Sequence, residues 1–588
     1  MCGIAGVVGP GGTRERAEMA GRMVGALRHR GPDGEGLFVE DFGAGDGEGG
    51  VALAHRRLAI LDVSERGRQP MTSRDGRWTV VLNGEIFNYR EIRAALDGPF
   101  LSATDTEALL EACAAWGVEK TLDRAIGMFA FGLWDRVERE LILARDRVGE
   151  RPLVYRHAGP ALAFASELKA LAPLSERRLD PAAVDAYLGL GYVPAPWTIF
   201  RDCCKLPAGH LLRFREGSVR IRRWWGGGSR EGRGSHAWEE GRGKGRPGAC
   251  PTHARALVRD AVRLRLRADV PVALALSGGV DSSVIAAECV GLGMRPAAFT
   301  VAFDGDETDV RAARAMASRL RLPLTEIRAD ATSLPEMFRH YDEPFADSSA
   351  VALLALARAA GGRYKVILNG DGGDEAFGGY RHYERISAKQ AFKSAAAKLG
   401  WCDGKGPLEV YVQSKATFRA GERSRLLNGN WRGNSLDELA GLALPARAGA
   451  FERALSSDRQ MYLPNDLAFK SDIALASQGI EGRAPFLDHR LLEWTATLPA
   501  RALVRGREKK ILLREAYRGE LPDEILDRPK HGFGAPVEAW LNGPLREFAG
   551  DLLPCSWFEG RVQAGLRGQR LWTLLAFAGW AREWRGTW

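Results

Sequence analysis

The stretch Val270-Pro271-Val272-Ala273-Leu274-Ala275-Leu276-Ser277-Gly278-Gly279-Val280-Asp281-Ser282-Ser283 decides the fold of the C-terminal half. Val270–Leu276 reads as a buried strand, a glycine turn follows, and Ser283–Leu292 continues as an apolar helix. Glycines let the backbone approach an anion closely, and the helix start offers N–H groups carrying partial positive charge. Hydroxyls at Ser277, Ser282 and Ser283 add donors, and Asp281 can ligate a Mg²⁺ that bridges phosphates. The G-K-[ST] ending of a Walker A loop is absent, so this is a different kind of phosphate loop.

Downstream, Pro296–Phe303 reads as a strand, Val310–Leu320 as a helix and Tyr364–Leu368 as another strand. Strand–helix alternation of this kind predicts a parallel sheet covered on both faces. The last of these strands runs into Asn369-Gly370-Asp371-Gly372-Gly373-Asp374-Glu375. Both loops follow the carboxyl ends of strands, where open α/β sheets bind ligands, so Asp281 and Asp374 are expected to share one magnesium. Further on, Lys510 heads an otherwise apolar helix, a position suited to neutralising phosphate charge. Residues Glu384–Trp588 read as mainly helical.

Upstream the character changes. Short apolar runs at Val51–Ala54, Trp78–Leu82, Met128–Leu133, Leu141–Ala144 and Leu162–Ala165 alternate with turns. They predict sheet-on-sheet packing, with helices at Ala17–Leu27 and Thr106–Trp116. Gly226–Ala249 is too poor in apolar residues to fold alone and reads as a linker or surface insertion, and Gly43–Gly50 as a surface loop.

Cys2 stands directly behind Met1. Removal of Met1 would leave a thiol and a free α-amine on one residue, and an amine titrating near about 8 can serve as the thiol's own base. Attack of that thiol on an amide calls for neutral donors to the oxyanion, which Asn83 and the Gly84 N–H can supply from one turn. A zwitterionic substrate also wants an Arg for its carboxylate and acceptors for its ammonium. The stretches Leu53–Leu58, Leu82–Tyr89 and Ala103–Glu107 contain every one of these group types, while His29 and His55 read as structural.

The chain has 588 residues, with 45 % apolar and 27 % charged, which suits a globular protein of two or more domains. No run of about 18 apolar residues and no basic leader is found. The eight cysteines form no C-x-x-C pair, so a cytoplasmic location is expected. The net charge of +9 comes from arginines interleaved with acids, without a compact basic run, which argues against nucleic acid as partner.

On these residues, Cys2–Ser166 resembles the glutaminase domain of class II, N-terminal-nucleophile glutamine amidotransferases. Ser277–Ser283 looks like the pyrophosphate loop of ATP pyrophosphatases, enzymes that activate a carboxylate as an acyl-adenylate. Together with Asp342–Ser349, Glu481–Asp488 and Lys530–Gly534, nearly the whole chain resembles the glutamine-hydrolysing asparagine synthetase family.

The resemblance implies an α+β then α/β chain. A four-layer αββα sandwich glutaminase domain (1–225) and a Gly/Arg-rich segment (226–249) precede a parallel-sheet ATP-pyrophosphatase domain with a mainly helical C-terminal part (250–588). It implies Cys2 as nucleophile, Asn83 and Gly84 as oxyanion hole, and Arg57, Glu85 and Asp105 as glutamine ligands. Ser277, Gly278, Gly279, Asp281, Ser282, Ser283, Asn369 and Gly370 would hold ATP and its pyrophosphate, with Leu276 and Val301 flanking adenosine. Asp281 and Asp374 would bind Mg²⁺, Lys510 would steady the phosphoryl transition state, and Asp371 would take a proton from attacking ammonia.

The expected cofactors are ATP and Mg²⁺. The expected partners are small molecules (glutamine, ATP and, as default acceptor, L-aspartate), with no nucleic acid or membrane, and a homodimer is compatible with this reading. One departure is Asn369-Gly370-Asp371-Gly372 where family members commonly carry Ser-Gly-Glu-Gly, which leaves open another acceptor carboxylate, such as a sugar acid or a peptide side chain. A nucleic-acid-binding protein on a retired enzyme scaffold is the reading from another class, and intact Cys2, Asp281, Asp374 and Lys510 speak against it.

Overall fold

A computed structural model describes residues 1–42, 49–226, 249–303, 307–384, 415–428, 435–436, 450–529, 534–552 and 565–584. Most of the Gly43–Gly50 loop, the Gly226–Ala249 segment apart from its two ends, and Lys530–Phe533 lie outside the described residues.

The N-terminal half holds two antiparallel sheets, each six-stranded among the described residues. The first contains β1 (Gly3–Gly9), β2 (Gly34–Asp41), β3 (Gly50–Arg57), β8 (Val154–Ala158), β9 (Ala161–Ala165) and β10 (Cys204–Lys205), in the order β10-β8-β9-β1-β3-β2. The second contains β4 (Met71–Thr72), β5 (Trp78–Ile86), β6 (Gly127–Asp135), β7 (Glu140–Arg145), β11 (His210–Arg215) and β12 (Ser218–Arg223), in the order β12-β11-β7-β6-β5-β4.

Alternation along the strands explains the packing. Ile4 and Val8 of β1, Val51 and Leu53 of β3, Val81 of β5 and Leu141 and Leu143 of β7 share one core between the sheets. Their neighbours point the other way. Ala5, Ala52 and Ala54 meet Ala20, Met23 and Val24 of helix Thr13–Gly25, while Val80, Leu82 and Ile142 meet Ala108, Leu109 and Ala112 of helix Asp105–Trp116. The central strands of each sheet are therefore buried on both faces, which is why they read as apolar runs, whereas the edge strands β2 and β12 are half-buried or exposed.

The C-terminal half is built on a parallel sheet of β13 (Val272–Ala275), β14 (Ala297–Phe303), β15 (Leu324–Ala329), β16 (Val366–Leu368) and β17 (Glu481–Arg483), ordered β15-β14-β13-β16-β17. The chain leaves β13 toward β14 on one side, and β16 adds on the other. This reversal makes a crevice at the carboxyl ends of β13 and β16, the switch point at which α/β sheets take their ligands. Helix Val280–Gly291 starts from the loop after β13. The described residues of the remainder are mainly helical and include Ala468–Ala476 and Gly568–Glu583, whose Trp572 and Trp580 are fully buried. Within it, β17 is a strand that apolar periodicity does not signal, being three residues of Glu-Gly-Arg.

Candidate active sites

Cys2 sits just ahead of β1, and its Sγ accepts a hydrogen bond at 3.4 Å from the backbone N–H of Leu58, the residue beyond the end of β3. Burial pushes the thiol up to about 11. Met1 is fully buried in front of it, and burial lowers the Met1 α-amine to about 5.

Asn83, in the centre of β5, is completely buried, and neither polar atom of its amide has a hydrogen-bond partner among the described residues. Buried amides without partners are rare, and this one is a donor waiting for an acceptor. Gly84 follows at φ +140°, and a Cβ there would lie 2.0 Å from the Met128 carbonyl oxygen, so only glycine fits. Asp105 opens helix Asp105–Trp116 and accepts the Ile86 N–H at 2.8 Å; burial raises its carboxyl to about 6. Burial and the nearby Asp105 hold the Glu85 carboxyl well above the ordinary carboxylate range. Two buried carboxylates in one place favour a cation beside them. The Arg57 guanidinium donates to the carbonyls of Ser64 (2.6 Å) and Asp62, which fixes the loop after β3. His55 is buried beside the Leu82 carbonyl, with its pKa lowered by burial to about 3, and His29 pairs with Glu167, so both have structural surroundings.

The structure adds residues that sequence reasoning missed. Arg483 of β17 approaches Glu85 at 3.2 Å and pairs with Glu481 at 2.7 Å. Arg30 donates to the Cys2 carbonyl (2.9 Å), to Glu167 (2.6 Å) and to Asp472 (2.8 Å). Arg151 reaches Asp472 at 3.0 Å and the Gly482 carbonyl at 3.0 Å. Of these, Arg483–Glu85, Arg30–Asp472, Arg151–Asp472 and Arg151–Gly482 join the two halves around the nucleophile, linking residues hundreds of positions apart. Arg30, Arg151 and Arg483 fall within stretches that the family resemblance covers, which assigns them no role.

The second centre is a cavity of about 520 Å³ at the switch point. Leu276, Ser277, Gly279, Asp281, Ser282 and Val301 line it, together with Asn369, Gly370, Asp371, Asp374 and Lys510. Gly278 and Ser283 support the loop from behind. Gly278 has φ +73°, and a Cβ on it would meet the Ala313 backbone nitrogen at 2.4 Å. The Ser283 hydroxyl is buried. The Ser282 hydroxyl bonds to Ser277, closing the loop on itself.

Lys510 is in the left-handed region at φ +53° and caps helix Ile511–Tyr517. Its ammonium lies 2.5 Å from Asp281 and 2.6 Å from Asp374. Against the opposing effect of burial, those two carboxylates hold it above its ordinary pKa. Two carboxylates that meet at one ammonium, from adjacent loops of a glycine-lined cavity, are the hard oxygen donors that Mg²⁺ prefers.

Residues 253–582 match the asparagine synthase family and residues 1–225 the glutamine amidotransferase domain. The chain belongs to the asparagine synthase family. It is similar to a provisionally named asparagine synthetase [glutamine-hydrolyzing] of Mycobacterium tuberculosis (strain H37Rv), at 32 % identity over 99 % of this chain and 97 % of the relative. It is also similar to asparagine synthetase [glutamine-hydrolyzing] 1 of Bacillus subtilis (strain 168), at 27 % identity over 99 % of this chain and 96 % of that one. Asparagine synthetase [glutamine-hydrolyzing] 3 of the same organism shares 30 % identity over 90 % and 86 %. As a glutamine-hydrolysing asparagine synthetase the chain is an ATP-dependent carbon–nitrogen ligase that uses small-molecule substrates. No helix among the described residues is long and apolar enough to cross a membrane.

Proposed function

We propose that the two centres divide the reaction between them. In the four-layer αββα sandwich of residues 1–225, Cys2 attacks the glutamine side-chain amide after Met1 is removed, and its own α-amine accepts the thiol proton. The Asn83 amide and the Gly84 N–H hold the oxyanion, Glu85 and Asp105 bind the substrate ammonium, and Arg57 takes its carboxylate. The C–N bond then breaks, ammonia leaves with the proton returned by the α-amine, and water hydrolyses the resulting thioester to glutamate and free Cys2. The unpartnered amide of Asn83 is the observation that carries this half.

In residues 250–588 the acceptor carboxylate attacks the α-phosphorus of ATP and releases pyrophosphate. The loop Ser277–Ser283 with Asn369 and Gly370 holds the phosphates, and Leu276 and Val301 flank the adenosine. Asp281 and Asp374 would hold Mg²⁺, which when bound neutralises phosphate charge. Lys510 steadies the charge that develops on the leaving pyrophosphate. Ammonia attacks the acyl-adenylate, the carbon–nitrogen bond forms as AMP leaves, and Asp371 takes the proton. Enclosing the ammonia matters because in water at pH 7 it is mostly protonated and carries no nucleophilic lone pair.

The acceptor is L-aspartate, the product asparagine and the setting the cytoplasm, and a homodimer is compatible with this reading. The full-length likeness to asparagine synthetases supports the acceptor and the product. A screen of carboxylates for ATP-dependent pyrophosphate release tests it. Aspartate is expected to be the strongest acceptor, and release with a sugar acid but not aspartate would overturn the assignment.

A further inference from the structure

Helix Ala468–Ala476 packs between the two centres and offers three consecutive buried side chains to different partners. Lys470 reaches Asp347 in the wall of the cavity, and Asp472 pairs with Arg30 and Arg151 of the N-terminal half. Between them, the Ser471 hydroxyl donates to Oδ2 of Asp371. The same Oδ2 accepts a second bond, at 3.0 Å, from the side-chain amide of Asn369, whose own oxygen takes the Asp371 N–H at 3.3 Å. With the helix pinned on both sides of Ser471, its hydroxyl has little freedom to follow another partner.

A carboxylate has two oxygens, and here two neutral donors converge on one of them. The carboxylate plane is thereby fixed, and Oδ1 is the oxygen left to accept a proton from a nucleophile in the cavity. We infer that Ser471 is a positioning residue for amide formation, holding Asp371 Oδ2 so that Oδ1 meets the ammonia that attacks the acyl-adenylate; this rests on the reading of Asp371 as proton acceptor. Misplacing a general base by a fraction of an ångström slows the transfer it serves while leaving other steps alone. Other charged groups around Asp371 are Lys470 and Asp347, and burial raises its carboxyl while the Ser471 bond pulls the other way. Neither charged neighbour bonds to Oδ2, so the hydroxyl and the Asn369 amide set its orientation.

Ser471→Ala, Ser471→Thr and Asp371→Ala are compared with the unaltered full-length enzyme for glutaminase activity, ATP–pyrophosphate exchange with acceptor, and amide formed per pyrophosphate released. Ser471→Ala is expected to keep the first two activities and lose about tenfold in amide formation, so that pyrophosphate appears without amide. Ser471→Thr retains the hydroxyl and should return the ratio to within about twofold of normal. Exchange and glutaminase activity in the same preparation report that the fold is intact. An unchanged ratio in Ser471→Ala, with amide formation abolished in Asp371→Ala, would overturn the positioning role alone. Amide formation that survives in Asp371→Ala would overturn the underlying reading of Asp371, whatever Ser471 does.

Discussion

Arg30 and Asp472 stand 442 positions apart in the chain and 2.8 Å apart in space. Both side chains are fully buried, and the guanidinium that holds Asp472 also donates to the Cys2 carbonyl at 2.9 Å. The residue before Asp472, Ser471, donates to Asp371 in the other centre. A short series of contacts thus connects the nucleophile's own backbone to the acid of the synthetase cavity. Arg151 joins the same carboxylate, and Glu167 shares Arg30, so the interface is a charged network with every member paired. Unpaired charges in such a place would be costly, which makes the docking of the two halves specific.

Asp472→Asn is expected to lower stability by about 3 kcal/mol, because two buried guanidinium groups lose a shared counter-ion. Glu167 and Glu481 remain near Arg30 and Arg151 and limit the loss. Chemical denaturation followed by fluorescence checks this, and a midpoint equal to the parent's would contradict it.

Asn83→Ala removes a preorganised donor while leaving the pocket's carboxylates in place. Glutaminase kcat should fall by about 10²–10³ with a small change in KM. Steady-state glutamate release measures it, and a loss confined to KM would assign Asn83 to ground-state binding instead.

Cys2→Ala should abolish glutamine-dependent amide synthesis and leave synthesis from added ammonium. Parallel assays with the two nitrogen sources decide the matter, since loss of both together would contradict a division between centres.

Asp281→Ala takes away one of the two carboxylates that meet at Lys510. ATP–pyrophosphate exchange should be lost with either nitrogen source while glutaminase activity persists. Retained exchange would remove Asp281 from the nucleotide site.

Glu150 supplies a test of pH dependence away from both reactions. Burial, only partly offset by Arg265, raises its carboxyl to about 8, against an ordinary value near 4.5. Between those values the folded chain binds a proton that the unfolded chain has released, so stability falls as pH rises from 4.5 to 8. Glu150→Gln should therefore stabilise the protein, by on the order of 2 kcal/mol at pH 8.5 and progressively less toward pH 5. Melting curves at several pH values measure the trend, and an equal gain at all pH values would point to packing.

Much of this was legible in the sequence because it is local. The apolar runs at Val51–Ala54 and Leu141–Ala144 lie within β3 and β7, and Val310–Leu320 lies within helix Thr308–Leu320. The loop after β13 and the loop after β16 were legible for the same reason, since glycine, serine and aspartate in a strand–turn–helix context carry their own geometry. Leu324–Ala329, a half-exposed edge strand, and β17 have no such pattern. The pairings of Arg30, Arg151, Asp472 and Arg483 were invisible for a deeper reason. A lone Arg or Asp reads as a solvated surface residue, and only the docking of two halves decides that these are buried partners.

The central claim, that one polypeptide frees ammonia at Cys2 and consumes it at the Asp281–Asp374–Lys510 cavity, is tested most directly by isotope transfer. Amide-¹⁵N glutamine, aspartate and Mg-ATP are given to the enzyme in the presence of excess unlabelled ammonium, and the asparagine formed is weighed by mass spectrometry. The account expects the product amide to carry the glutamine nitrogen in preference to the external pool. Product labelled only in proportion to the mixed pool would mean that ammonia escapes to solvent between the two centres.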